Sequence, residues 1–239
     1  MRMTREKTVV QLTYLPKVFP VNCYLIEEED SLTLVDAALP NNVKAILQAA
    51  KQLGKPINRI VLTHAHADHI GSLDALKELL PSVQVYISKR DARLLSGDQT
   101  LDANEPNVPI RGGLPKNIRT KPDVLLVDGD RVGSLLAVAA PGHTPGSMAF
   151  LDTRNDILIV GDAFQTRAGV AVSGQVKLLF PFPAMATWDK QTSLETARRL
   201  RDLEPSLIAS GHGNMLLQPK RLLAKAIAKA ERSLAKEIR

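Results

Sequence analysis

Cysteine is almost absent from this sequence: one residue, Cys23, in 239. That excludes a disulfide scaffold and a cysteine-built zinc finger. It fits a reducing compartment. Aromatic residues make up only 4%, so a platform for stacking nucleic-acid bases is poorly supplied. No apolar run approaches the roughly 18 residues that a membrane span requires. The opening MRMTREKTVV is charged and has no apolar stretch of the kind a secretory signal carries. The expectation is a soluble, cytoplasmic protein with no membrane partner. The length is enough to bury a sizeable core without cross-links. The formal charge of +6 is spread along the chain, with a local excess in the last twenty residues. It reads as a solvated Lys/Arg-rich surface rather than a nucleic-acid interface.

Hydrophobic patterning predicts alternating strands and helices. Strands are expected over 8–15, 21–27 and 31–36, with the acidic run from Glu27 to Asp30 as a turn. A helix over 43–53 follows, closed by Gly54 and Pro56. RIVLT at 59–63 reads as a strand buried on both faces. A helix over 71–80 and a strand over 83–88 come next. Residues 96–120 show no period and are expected as a long loop of the kind that often carries function. Further strands are expected at 123–127, 134–140, 147–152, 156–161 and 206–210. A helix is expected over 188–203, starting at Trp188. The segment 163–187 is irregular but apolar, suited to a lid or a dimer contact. The chain is expected as one domain, 1–239, ending in an amphipathic helix at about 218–237. Leu222, Leu223, Ala226, Ile227, Ala230 and Leu234 form the apolar stripe of that helix.

A faint internal repeat runs through this pattern. CYLIEEEDSLTLVD (23–36) and MAFLDTRNDILIVGD (148–162) share a plan of strand, polar turn, strand and Asp. Each is followed by a helix, a short apolar strand and a histidine: RIVLTH at 59–64 and SLIASGH at 206–212. The sequence therefore predicts an α/β fold made of two similar ββαβ-containing halves.

The histidines carry the chemistry. Of five, three stand in His64-Ala65-His66-Ala67-Asp68-His69, directly after a buried strand. Alternate residues of an extended loop point the same way, so His64 and His66 can share one metal. Asp68 and His69, at the turn into a helix, can reach a second. The other two, His143 in PGHTPGS and His212 in SGHGN, sit in glycine-flanked turns after strands. Asp36 and Asp162 each end a strand, where a carboxylate is costly to bury unless it is bound to something. Imidazole and carboxylate together suit Zn, Fe or Mn.

In order and spacing these motifs, HAHADH, GHTPGS, GD and GH, resemble the metallo-β-lactamase-fold hydrolase superfamily from about Asp36 to His212. The resemblance implies a four-layer αββα sandwich with two divalent ions at one edge, zinc being the first expectation. It implies that His64, His66 and His143 hold one ion, that Asp68, His69 and His212 hold the other, that Asp162 bridges them, and that Asp36 holds the ligand loop. Such ions supply hydroxide at neutral pH and polarise a substrate oxygen. Asp68 is the candidate catalytic residue, orienting the nucleophile or carrying a proton to the leaving group.

The substrate expected is a small anionic or carbonyl-containing molecule, an ester, thioester or lactone. True β-lactamases of the fold generally lack the bridging Asp. Lactonases of the fold often use a Tyr between the bridging Asp and the last His, and the tyrosines here are Tyr14, Tyr24 and Tyr86. The alternatives are a phosphodiesterase or nuclease of the same fold, and a mononuclear iron dioxygenase of sulfur compounds. Phe164, Lys177, Phe180 and Phe182 are the candidate pocket residues, and Cys23 is expected as a buried core thiol.

Overall fold

The computed structural model describes residues 1–237; positions 238–239 of the expected domain lie outside the described residues. The first half of the chain runs β1 (Arg2–Glu6), β2 (Val9–Tyr14), β3 (Val21–Glu27), β4 (Leu32–Val35), α1 (Val43–Leu53), β5 (Ile57–Val61), α2 (Ala67–Ile70), α3 (Leu73–Leu79), β6 (Gln84–Ser88), α4 (Lys89–Leu95) and β7 (Val124–Leu126). The second runs β8 (Arg131–Val132), β9 (Leu135–Ala139), β10 (Met148–Asp152), β11 (Ile157–Gly161), β12 (Phe164–Gln165), β13 (Ala171–Val172), α5 (Phe182–Met185), α6 (Lys190–Asp202), β14 (Leu207–Ser210), β15 (Leu216–Leu217) and α7 (Lys220–Glu237).

A seven-stranded sheet runs in chain order from β1 to β7, and a six-stranded sheet runs β15-β14-β11-β10-β9-β8. Side chains alternate across each strand, and both faces are apolar. From β3, Val21, Cys23 and Leu25 point to the helices, while Tyr24 and Ile26 point to the second sheet. From β11, Leu158 and Val160 face the helices, and Ile157 and Ile159 face the first sheet. The core between the sheets joins Tyr24, Val35 and Val61 to Phe150, Ile159 and Ala209. One outer layer packs α1 and α3 on the first sheet through Ile46, Ala49, Leu73 and Leu76. The other packs α6 and α7 on the second sheet through Leu194, Leu200, Leu223 and Ile227. This is the four-layer αββα sandwich. Burial of each large apolar side chain stabilises it by about 1.5–3 kcal/mol.

The internal repeat is a structural one. The antiparallel β3–β4 pair, α1, and β5 parallel to β4 in the first half correspond to the antiparallel β10–β11 pair, α6, and β14 parallel to β11 in the second. Parallel pairing brings the carboxyl ends of β4 and β5 side by side, and likewise those of β11 and β14. Asp36, the His64–His69 loop, Asp162 and His212 follow those four ends. The two halves are tied at this edge. Asn22 N–H donates to the Gly211 carbonyl at 2.9 Å, Tyr24 Oη to that of Ser210, and Met148 N–H to that of Thr63 at 2.8 Å.

One expectation needs adjustment, and some elements were not read in the sequence. The charged start is a strand, β1, paired with β2 at the sheet edge with almost every side chain exposed. The helix expected over 71–80 is α3, Leu73–Leu79, and a separate short helix, α2, precedes it. The chain breaks near Gly71, whose N–H bonds the Ala38 carbonyl and whose missing side chain makes room for Pro40. A helix not read in the sequence, α4, precedes the long loop. Cys23 is buried, as expected. No helix among the described residues is long and apolar enough to cross a membrane.

Candidate metal centre and cavity

Seven metal-type residues converge at this edge. His64, His66 and His143 offer ligand atoms that lie within 4.8 Å of one another, as do His64, His69 and Asp162, and Asp68, His69 and His212. Asp162 stands centrally: its carboxylate is 3.1 Å from His212 Nε2, 3.4 Å from His143 Nε2 and 3.5 Å from His69 Nε2. Asp68 Oδ2 is 3.5 Å from His212 Nε2 and 3.9 Å from His69 Nε2.

Each imidazole has one nitrogen held from outside, and the partners assign the tautomers. Thr63 Oγ1 donates to Asp36 Oδ2 at 2.8 Å, so it accepts from His64 Nδ1 at 3.0 Å. His69 Nδ1 donates to the same Asp36 oxygen at 2.8 Å. His66 Nε2 donates to the Arg111 carbonyl at 2.8 Å, and His212 Nδ1 to that of Pro20 at 2.7 Å. For His143 the chain is longer. Thr187 Oγ1 donates to the Pro183 carbonyl at 2.7 Å, so it accepts from Ser173 Oγ at 2.8 Å, which in turn accepts from His143 Nδ1 at 3.0 Å. The opposite nitrogen of every ring is left for the centre.

The consequence is an electrostatic demand. His66 Nδ1 and His143 Nε2 face each other at 3.0 Å, both as acceptors. His64 Nε2, His69 Nε2 and Asp162 Oδ1 are buried without any hydrogen-bond partner. Orphaned groups of this kind are costly unless a cation takes their lone pairs, and rings steered from outside are characteristic of metal ligands. The residues present therefore fit divalent metal ions.

The protonation preferences show the carboxylates drawing positive charge to the centre, while burial keeps His64 and His143 neutral. Burial opposes charge on His69, but Asp162, Asp68 and Asp36 outweigh it and push its pKa up to about 10. Burial likewise opposes charge on His212, and Asp162 more than offsets it. Burial also opposes ionisation of Asp162, yet His212, His69 and His143 hold its carboxyl well below the usual carboxylate range. His64 is held well below its ordinary value by burial, reinforced by the neighbouring imidazoles. The same burial keeps His143 neutral despite Asp162.

The local backbone is built for the site. Asp36 has φ 62°, a left-handed conformation uncommon away from glycine and best tolerated by residues such as Asp. Held there, its carboxylate takes the Thr63 N–H at 2.8 Å as well as Thr63 Oγ1 and His69. Gly112, at φ +100°, lies flat against the His66 ring where any side chain would collide. A side chain at Gly211 would run into Asp162 and His69.

A cavity of about 380 Å³ opens over the centre, walled by Phe19, Leu39, Pro40, Phe182, Pro183 and Ala186 beside the candidate ligands. Of the candidate pocket residues, Phe182 lines it. Phe180 is buried behind it, its ring centroid 5.4 Å from those of His212 and Phe182. Phe164 does not reach it. It enters β12, pairs with Val172 and is buried in the core against α6 and α7. Lys177 is not in the cavity wall either. It stands near Lys229 and Lys225 of α7, and burial together with their charge lowers its pKa.

Asp91 is the residue that the sequence did not point to. It is fully buried on α4, and its carboxylate accepts from Ala65 N–H at 3.0 Å, Thr144 Oγ1 at 2.7 Å and Gly146 N–H at 2.8 Å. It thus joins the HAHADH loop to the turn that carries His143. The one available signal was Ser88-x-x-Asp91, a helix-start pattern. Ser88 is indeed the cap, accepting from Asp91 N–H at 2.9 Å.

The family model of the metallo-beta-lactamase superfamily matches residues 16–212, and the chain belongs to that superfamily. It is 57% identical over 232 residues to the uncharacterized protein YobT of Bacillus subtilis (strain 168), covering 97% of this chain and 100% of that one. It is 32% identical over 216 residues to the probable metallo-hydrolase YflN of the same strain, covering 80% of each. Among solved structures, TTHA1623 in a di-iron-bound form matches with a TM-score of 0.65 and 26% identity, over 88% of this chain and 96% of that one. Human mitochondrial persulfide dioxygenase ETHE1 is 31% identical over 157 residues, 62% of this chain and 51% of that protein.

Proposed function

We propose that this protein is a dinuclear metal-dependent hydrolase of a small ester, thioester or lactone. One observation carries the reading: five imidazoles, each oriented by its own outside partner, meet two carboxylates at the floor of an open cavity. His64, His66 and His143 would hold one ion, Asp68, His69 and His212 the other, with Asp162 between them. Bound divalent ions would supply a hydroxide nucleophile and polarise the substrate carbonyl. The protein's own part is to fix this frame and to move a proton. Asp68 suits that role: it lines the cavity and its side chain is 26% exposed, against 4% for Asp162.

Zinc, iron and manganese all suit this donor set, and the di-iron form of TTHA1623 supports two ions over one. A phosphodiester reading is less well served, because among the described residues no Lys or Arg side chain stands in the cavity wall to meet the charge. The dioxygenase reading rests on a match to about half of a longer protein. Metal analysis tests the proposal. We expect two equivalents per chain, falling to one or fewer in Asp162→Ala, and no oxygen uptake on thiol or persulfide substrates. One iron per chain together with oxygen consumption would refute it.

A further inference from the structure

The hydrolase reading names the bond and leaves the rest of the substrate open. Its chemistry is written in the cavity wall. Beyond the candidate ligands, Phe19, Leu39, Pro40, Phe182, Pro183 and Ala186 carry the surface, and the remaining lining is a methyl group and a glycine. Among the described lining residues no hydroxyl, amide or cationic side chain is available to a polar tail. Arg111, whose carbonyl holds His66, is exposed but is not part of the wall.

The wall is also continuous with the centre. Phe180 lies 5.4 Å from the His212 ring, Phe19 packs on Phe180 at 5.3 Å, and Phe182 packs on Phe19 at 5.1 Å, all between centroids. The apolar surface extends past the cavity mouth on the same two segments. Val18 is 79% exposed beside Phe19, Leu179 is 87% exposed beside Phe180, and Met185, one turn from Phe182, is 66% exposed. A carboxylate or phosphate laid along this wall would lose hydration and gain no partner. An aliphatic chain would lose only its contact with water.

We infer that the group carried on the reacting carbonyl is an uncharged aliphatic chain of medium length, seated on Phe19 and Phe182; this inference rests on the hydrolase reading. The substrate is then an acyl ester, thioester or lactone of a fatty-acid type, and any negative charge it brings lies at the reacting carbonyl rather than on the tail.

The test uses metal-loaded protein and a series with one small leaving group: ethyl acetate, ethyl butanoate, ethyl hexanoate and monoethyl adipate. Acid release should give a kcat/KM that rises about threefold per methylene, as for a group mostly removed from water. Monoethyl adipate should be at least about tenfold poorer than ethyl hexanoate, because its second carboxylate meets an apolar wall. In Phe182→Ala the hexanoate ester should lose more than the acetate ester, flattening the gradient. Calorimetric binding of acetate, hexanoate and adipate gives a readout independent of turnover, and hexanoate should bind more tightly than the other two. A flat series, or preference for the adipate compounds, overturns the inference and leaves hydrolysis standing. If no ester is turned over, the ester-hydrolase reading fails. The binding arm then decides alone: hexanoate no tighter than acetate overturns the inference, and tighter binding that is lost in Phe182→Ala upholds it.

Discussion

At the scale of single residues, the centre depends as much on what holds the histidines as on the histidines. Asp36 carries the largest share, taking Thr63 N–H, Thr63 Oγ1 and His69 Nδ1 on one carboxylate. Asp36→Ala frees both His64 and His69, and metal analysis should show the loss of at least one equivalent. Gly211→Ala pushes a methyl group into Asp162 and His69; it should abolish metal uptake while the circular dichroism spectrum stays that of the wild type.

Asp91 acts further back, as a clamp between the two ligand loops. Asp91→Ala strands three buried donors, and at about 1–3 kcal/mol each, partly relieved by water, the loss should be roughly 3 kcal/mol in denaturant unfolding. Burial raises the Asp91 carboxyl from 3.8 to about 6, although its bonds to Thr144, Ala65 and Gly146 pull the other way. Over that range the folded state keeps a proton that the unfolded chain has released. Stability from this group is therefore greatest at low pH and falls as pH rises from about 4 to about 6. Melting curves of metal-free wild type and Asp91→Asn should diverge in that window, with the wild type losing ground as pH rises. A constant difference across it would contradict the assignment.

At the scale of elements, position follows from strand direction. The two parallel pairs, β4–β5 and β11–β14, end on the same edge, and Asp36 and every candidate ligand except His143, which follows β9, occupy the loops that follow. The long loop then closes over one of them. Trp188 Nε1 donates to the Val108 carbonyl at 3.0 Å, three residues before the Arg111 carbonyl that orients His66. Trp188→Phe keeps the packing and removes that bond; chelator competition should show several-fold weaker metal retention.

Much of this was legible in the sequence. β3, β4, α1 and β11 are strongly periodic or continuously apolar, and all seven candidate ligands stood in one histidine cluster, two glycine-flanked turns and one strand end. The remainder was hidden for physical reasons. β1 is an edge strand whose side chains face solvent, and charge there discourages unwanted pairing without leaving an apolar pattern. α4 buries an aspartate, so its inward face looks polar. The cavity wall is assembled from Phe19, Leu39 and Phe182, which are far apart in the chain and carry no common motif. Phe164 and Phe182 are indistinguishable by composition; only strand pairing sends the first into the core.

At the scale of the whole molecule, two similar halves bring four and three of the candidate ligands to a shared edge, where the core between the sheets, hydrogen bonds from Asn22, Tyr24, Met148 and His212, and the Asp91 clamp join them. Metal should therefore act as a fastener between halves. At a thousandfold excess over Kd a ligand of the folded state contributes about 4 kcal/mol, and at about 2–4 °C per kcal/mol for a chain of this size the melting temperature should rise by roughly 10 °C. Chelation should reverse that rise. The most direct test of the central claim is proton release by metal-loaded protein on a panel of lactones, thioesters and simple esters, with Asp162→Ala as the control. Acid from the wild type, and at least about a hundredfold less from the variant, is the predicted result. Equal acid from both, or none from a wild type shown to hold two metals, would contradict it.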